Sequence, residues 1–94
     1  MQNLRKHFIE VNQILLPLQS AFNSNPEGGR RREYFLESVE ANEFEIALHA
    51  LCDFLLEHQD ASVTEDLLAR IDELHKKMEI DDECVIKLKS RHRI

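Results

Sequence analysis

The chain has little of what punctuates sheets and tight loops: two glycines and two prolines in 94 residues. Hairpin turns draw heavily on those residues, so their scarcity points away from a multi-stranded sheet and towards helices. Nowhere does an apolar run approach the roughly 20 residues that span a bilayer. The opening stretch MQNLRKHFIEVNQILLPLQSAF is broken by Glu10, Asn12 and Gln13, so it lacks the unbroken apolar centre of a secretory signal. Only two cysteines occur, Cys52 and Cys84. Both sit inside helical patterns and suggest no disulfide framework. Also absent are a glycine-rich phosphate loop, a nucleophile elbow and an HExxH pair. No set of residues proposes a reaction, and the expectation is a soluble, cytoplasmic protein that is not an enzyme and carries no cofactor and no metal.

What is present suits a small globular chain. Hydrophobic residues make up 43% and charged residues 32%, the latter above the usual quarter. A chain of this size buries roughly 60–70% of its unfolded surface, enough for one core. Leu4, Phe8, Val11, Leu15, Leu18 and Phe22 recur at steps of four and three, one stripe of a helix. Pro17 interrupts that stripe and predicts a kink or a break. NSNPEGGRRR, residues 23–32, reads as a flexible loop. A short helix follows from about Arg32 to Glu40, burying Tyr34 or Phe35 and Val39.

The next helix, 43–59, carries Phe44, Leu48, Leu51, Cys52 and Leu55 on one face, with Asn42 and Glu45 placed as a capping box. Ser62 and Glu65 repeat that device before a helix burying Leu67, Leu68, Ile71, Leu74 and Met78. In IDDECVIKL, Asp81 reads as a cap and Ile80 as a staple onto Val85. Lys87, Lys89, Arg91 and Arg93 suit the negative end of the last helix, with a basic tail from about 89 to 94. The expected architecture is all-α: one domain over residues 1–94, a small bundle of about five helices with short connections.

The net charge of −6 hides a segregation. Residues 1–32 carry +3, residues 33–83 carry −13 and residues 84–94 carry +4. On a helical wheel of EFEIALHALCDFLLEHQD, residues 43–60, the side opposite the core gathers Glu43, Asp53, Glu57 and Asp60, with Ile46 and Ala50 among them. An apolar residue ringed by like charges has the layout of a binding anchor with a steering rim. Glu37 and Glu40 on the preceding helix are weaker additions. Charge-rich helix faces are commonly just solvated, but a local excess of thirteen charges opposes compaction through self-repulsion. A cationic partner is the simplest reason to keep it.

Other constellations carry less. His49 and Cys52 lie three apart and could share a metal ion, but a structural zinc site needs four ligands and no second pair has suitable spacing. Cys52 reads instead as a small buried hydrophobe, and His75 as a satisfied, partly buried histidine. DDE at 81–83 lacks the calcium loop around it. The basic clusters GGRRRE and KLKSRHRI are short, lack interleaved aromatics and flank an acidic middle that repels phosphate, so direct nucleic-acid binding is not expected.

NEFEIALHALCDFLLEHQDASVTEDLLARIDELHKKMEIDDECVIKL, residues 42–88, resembles the small bacterial immunity proteins paired with Maf-type and contact-dependent growth inhibition toxins. The resemblance lies in EIALHALCDFLLE, a short link, and a helix ending LHKKMEIDDECVIKL, about half the chain. It implies a cytosolic protein that neutralises a cognate toxin by tight binding. Such toxins are commonly nucleases with cationic clefts, which an acidic protein can cover. The resemblance supplies no residue-by-residue binding motif, so the candidate contact residues remain those of the wheel: Glu37, Glu40, Glu43, Ile46, Asp53, Glu57 and Asp60. The alternative is a helical adaptor that docks another protein through an apolar groove.

Overall fold

A computed structural model of the protein describes residues 2–24, 26–58 and 63–92. Five α-helices appear among them: α1 (Gln2–Leu15), α2 (Gly28–Glu40), α3 (Phe44–Glu57), α4 (Glu65–Lys77) and α5 (Cys84–His92), with a 3-10 segment, Leu16–Ser24, after α1. There is no strand among the described residues. The chain is an all-α bundle, as the shortage of turn residues implies.

Pro17 breaks the first helix rather than kinking it. Proline has no N–H to continue the ladder, and α1 gives way to the 3-10 segment one residue before it. The apolar stripe nevertheless runs on through the change of winding: Val11, Leu15, Leu18 and Phe22 are all buried and Phe8 partly so, while the Leu4 side chain lies outside the described set. The loop expected over 23–32 is shorter than that, because α2 already begins at Gly28. Gly28 is there for space. A methyl group on it would run into the backbone carbonyl of Phe22, whereas one on Gly29 would meet nothing.

Of the two aromatics offered for the core of α2, Phe35 is buried and Tyr34 is 54% exposed. The centre of the bundle is an aromatic cluster in which Phe22 meets Phe54 at 4.9 Å and Phe35 at 5.3 Å between ring centroids. Phe54 is fully buried, although the wheel of α3 gave it no place among the core residues. Helix α3 buries seven residues, a stripe wide enough for neighbours on two sides. It packs against both α2 and α5.

The helix ends correct three sequence expectations. Asn42 does not cap α3; it ends α2 in the left-handed region at φ 61. Asn42 N–H donates to Val39 O at 3.0 Å and Glu43 N–H to Ser38 O at 2.8 Å, the paired bonds of a Schellman motif. Glu43 precedes α3 with no side-chain cap bond, so the Asn42–Glu45 capping box does not form. Helix α4 ends the same way, with Glu79 at φ 55 and N–H bonds from Glu79 to Lys76 O and from Ile80 to His75 O.

At the start of α4 the cap is Thr64, whose Oγ1 accepts from Leu67 N–H at 3.1 Å. Ser62, the expected cap, lies outside the described residues. At α5 the capping carboxylate belongs to Asp82, not Asp81: Asp82 Oδ1 accepts from Cys84 N–H at 3.0 Å. Ile80 and Val85 both pack on the core from its edge. Lys89, Arg91 and His92 occupy the last turn of α5, where cations complement the helix dipole.

Candidate functional site

The outer surface of α3 carries the proposed contact residues at its predicted period. Glu43, Ile46, Asp53 and Glu57 are exposed and Ala50 is half-buried, so they form a ridge along the helix. Ile46 is 42% exposed, large enough an apolar surface to anchor a contact. Glu37 and Glu40 are exposed on neighbouring α2. Asp60, the last member of the predicted set, lies outside the described residues.

Among the described residues, internal neutralisation of this ridge is seen at one member. Arg31 of α2 reaches Glu57, Nη1 to Oε2 at 2.7 Å. The Arg31 hydrogen bond holds the Glu57 carboxyl below its ordinary value, against a smaller opposing effect of burial. The same guanidinium sits 5.8 Å from the Phe54 ring centroid, so Arg31 is steered by both an anion and a π-face. Among the described residues no cation pairs with Glu37, Glu40, Glu43 or Asp53. Their charge is directed at solvent.

The opposite flank of α3 holds a different kind of chemistry, and here the sequence expectation for cysteine is corrected. Cys52 of α3 and Cys84 at the start of α5 form a disulfide, with Cα atoms 6.2 Å apart. Cys52 is buried as expected, but as half of a bridge rather than as a lone hydrophobe. Two cysteines 32 residues apart on separate helices give no spacing motif that would announce the pair.

His75 of α4 faces the bridge. Its ring is buried and satisfied on both nitrogens, as the sequence suggested: Nδ1 lies 2.8 Å from Ile71 O and Nε2 lies 2.8 Å from Asp82 Oδ1. The other oxygen of Asp82 meets His49 Nε2 at 3.2 Å. Burial on its own would raise the Asp82 carboxyl, but the Cys84 N–H, His75 and His49 together outweigh it and hold the group below its ordinary value. The potential ligand atoms of Cys52, His75 and Cys84 all lie within 4.8 Å of one another. His49, the partner weighed for Cys52 from spacing, belongs to the edge of this cluster through Asp82 instead.

No helix among the described residues is long and apolar enough to cross a membrane.

No family model, curated protein or solved structure matches this chain significantly.

Proposed function

We propose that the protein is an immunity protein that binds a cognate bacterial toxin, a basic nuclease domain, and covers its cationic cleft with the acidic ridge of α3. The observation that carries this reading is a set of carboxylates around an exposed apolar residue: Asp53 and Glu43 flank Ile46, and no cation among the described residues pairs with them. Like charges on one rigid helix raise the rate of encounter with a cationic surface, and the apolar anchor slows escape. Glu37 and Glu40 extend the field onto α2. Glu57 contributes less, because Arg31 already occupies it. The chain performs no chemical step in this mechanism; it excludes substrate by occupying the site. An acidic surface of this kind repels phosphate, so nucleic acid is not its ligand. The reading places the protein in the cytoplasm, where its toxin would act.

The test is co-expression with the product of the neighbouring gene, followed by affinity purification and stopped-flow binding. A stoichiometric complex with a basic, otherwise lethal polypeptide is expected, with an association rate that falls steeply as salt rises. Replacing Glu43 and Asp53 together with lysine should slow capture at least tenfold while leaving the circular dichroism spectrum unchanged. Full protection by that variant would exclude this face.

A helical adaptor is the second reading, favoured by apolar residues exposed outside the ridge: Ile86 at 70% and Tyr34 at 54%. It predicts binding to a partner with little dependence on salt, lost on Ile86→Asp and kept in the double-lysine variant.

A further inference from the structure

We propose that the protein, with its disulfide reduced, binds one Zn2+ through Cys52 Sγ, Cys84 Sγ, His75 Nε2 and a carboxylate oxygen of Asp82. The inference stands apart from the toxin-binding reading, since none of these four residues lies on the ridge.

Convergence of ligands comes first. The donor atoms of Cys52, His75 and Cys84 lie within 4.8 Å of one another, and all three residues are buried. Zinc holds sulfur at about 2.3 Å and nitrogen at about 2.0–2.1 Å in a tetrahedron. One ion therefore spans neighbouring ligands at separations of about 3.5–4 Å. Asp82 stands outside that group of three, but its Oδ1 is 2.8 Å from His75 Nε2, and it is assigned the fourth corner.

The surroundings of each ligand fit as well. A metal-bound histidine usually donates its other N–H to a carbonyl or carboxylate, which fixes the ring and the tautomer. His75 Nδ1 has that partner in Ile71 O at 2.8 Å, leaving Nε2 on the side of Asp82 and available as the ligand atom. Ligating carboxylates are themselves held by outer hydrogen bonds. Asp82 is held by Cys84 N–H at 3.0 Å and faces His49 Nε2 at 3.2 Å. Two thiolates with an imidazole and a carboxylate are a donor set suited to zinc rather than to calcium or magnesium.

The two states of the site exclude each other, because a sulfur in the bridge is not a thiolate. A dithiol or monothiol reductant converts the disulfide to two thiols and is itself oxidised to its disulfide. Zn2+ then displaces two protons as the thiolates coordinate. In a reducing compartment, where structural disulfides are rare, the metal takes over the task of the bridge. That task is specific. Helix α5 has nine residues, of which Cys84 and Leu88 are buried, so losing the tie at Cys84 leaves it weakly docked.

The experiment uses the full chain, once with the bridge intact and once reduced with a phosphine under argon. Each is titrated with Zn2+ by chelator competition and native mass spectrometry, and with Co2+ as a spectroscopic substitute. The expected result is one equivalent bound by the reduced chain and none at this site by the oxidised chain, with thiolate-to-cobalt charge-transfer absorption. Cys84→Ser should abolish binding, and His75→Gln should weaken it at least 10- to 100-fold. The proposal is overturned if the reduced wild-type chain takes up neither ion. It is equally overturned if uptake is the same with the bridge intact. A failure of either variant to fold leaves this comparison of the two wild-type forms decisive. Should reduction itself unfold the chain, recovery of helicity on adding Zn2+ supports the site, and no recovery rejects it.

Discussion

The two flanks of α3 hold their neighbours by contrasting means. Towards α2 the contact is broad and apolar: Phe54, Phe22 and Phe35 interlock, and Arg31 adds an ion pair to Glu57 at its exposed edge. Towards α5 the contact is narrow. Cys84 and Leu88 are the buried residues of α5, with Val85 against the core at its edge, and they are joined by a disulfide, the His75–Asp82–His49 chain and a bond from His92 Nε2 to Leu55 O at 3.0 Å. Apolar interlocking depends on area and responds little to solution conditions. A flank made of one covalent bond and a few polar contacts depends on redox state, pH and ions.

The largest effect should come from the apolar flank. Phe54→Ala removes the ring that joins α3 to Phe22, and is expected to cost about 3–5 kcal/mol in denaturant unfolding. Loss of protection against hydrogen exchange should extend through α2 and α3 together. If α5 alone became labile, the contrast between the flanks would be wrong.

Next comes the bridge. Replacing both cysteines with serine, in the presence of a chelator, should cost about 3–4 kcal/mol on the loop-entropy argument for a cross-link across 32 residues. Here exchange should rise most in α5. Equal gains in α2 would show that α5 is held by more than its few ties.

Acid should act on the same flank. Because the Asp82 carboxyl titrates below its ordinary value, its stabilisation is complete above the unfolded value of about 4 and is lost as pH falls through the lower folded one. Asp82→Asn is expected to cost about 1–2 kcal/mol at neutral pH, the side chain being partly solvated. Unfolding midpoints measured from pH 5 down to pH 2 should then fall less steeply in the variant than in the wild type. Glu57 is also held low, but at 55% exposure its pair with Arg31 is screened, and Glu57→Gln should cost under about 1 kcal/mol.

A gain of similar size is expected at the turn that leads into Asp82. Glu79 occupies the left-handed region at φ 55, where a side chain costs about 1 kcal/mol relative to glycine. Glu79→Gly should raise the thermal midpoint by a few degrees, a shift read by calorimetry.

Much of the fold was legible because it is local. The four-and-three spacing of Val11, Leu15, Leu18 and Phe22 placed one core stripe even across a change of winding. The wheel of 43–60 also placed Ile46 and Asp53 on the solvent side, where they are. Local signals misled where two neighbouring elements compete for one residue. Asn42 is a good N-cap by type but also tolerates φ > 0, and the end of α2 took it. Phe54 was missed because it lies at the margin of the α3 stripe. It is core only because the aromatic cluster with Phe22 and Phe35 covers that margin.

The sequence by itself determined the helical class, the stripes that become core and the segregation of charge, since each follows from periodicity along one element or from counting. Only the tertiary structure decided that Cys52 meets Cys84, that His75 and Asp82 join them, and that Arg31 neutralises Glu57 while no described cation pairs with Asp53. Those partners are brought together by packing of separate elements, and a contact closed across 32 residues, as between Cys52 and Cys84, or 26, as between Arg31 and Glu57, leaves no period in the chain for a sequence to display.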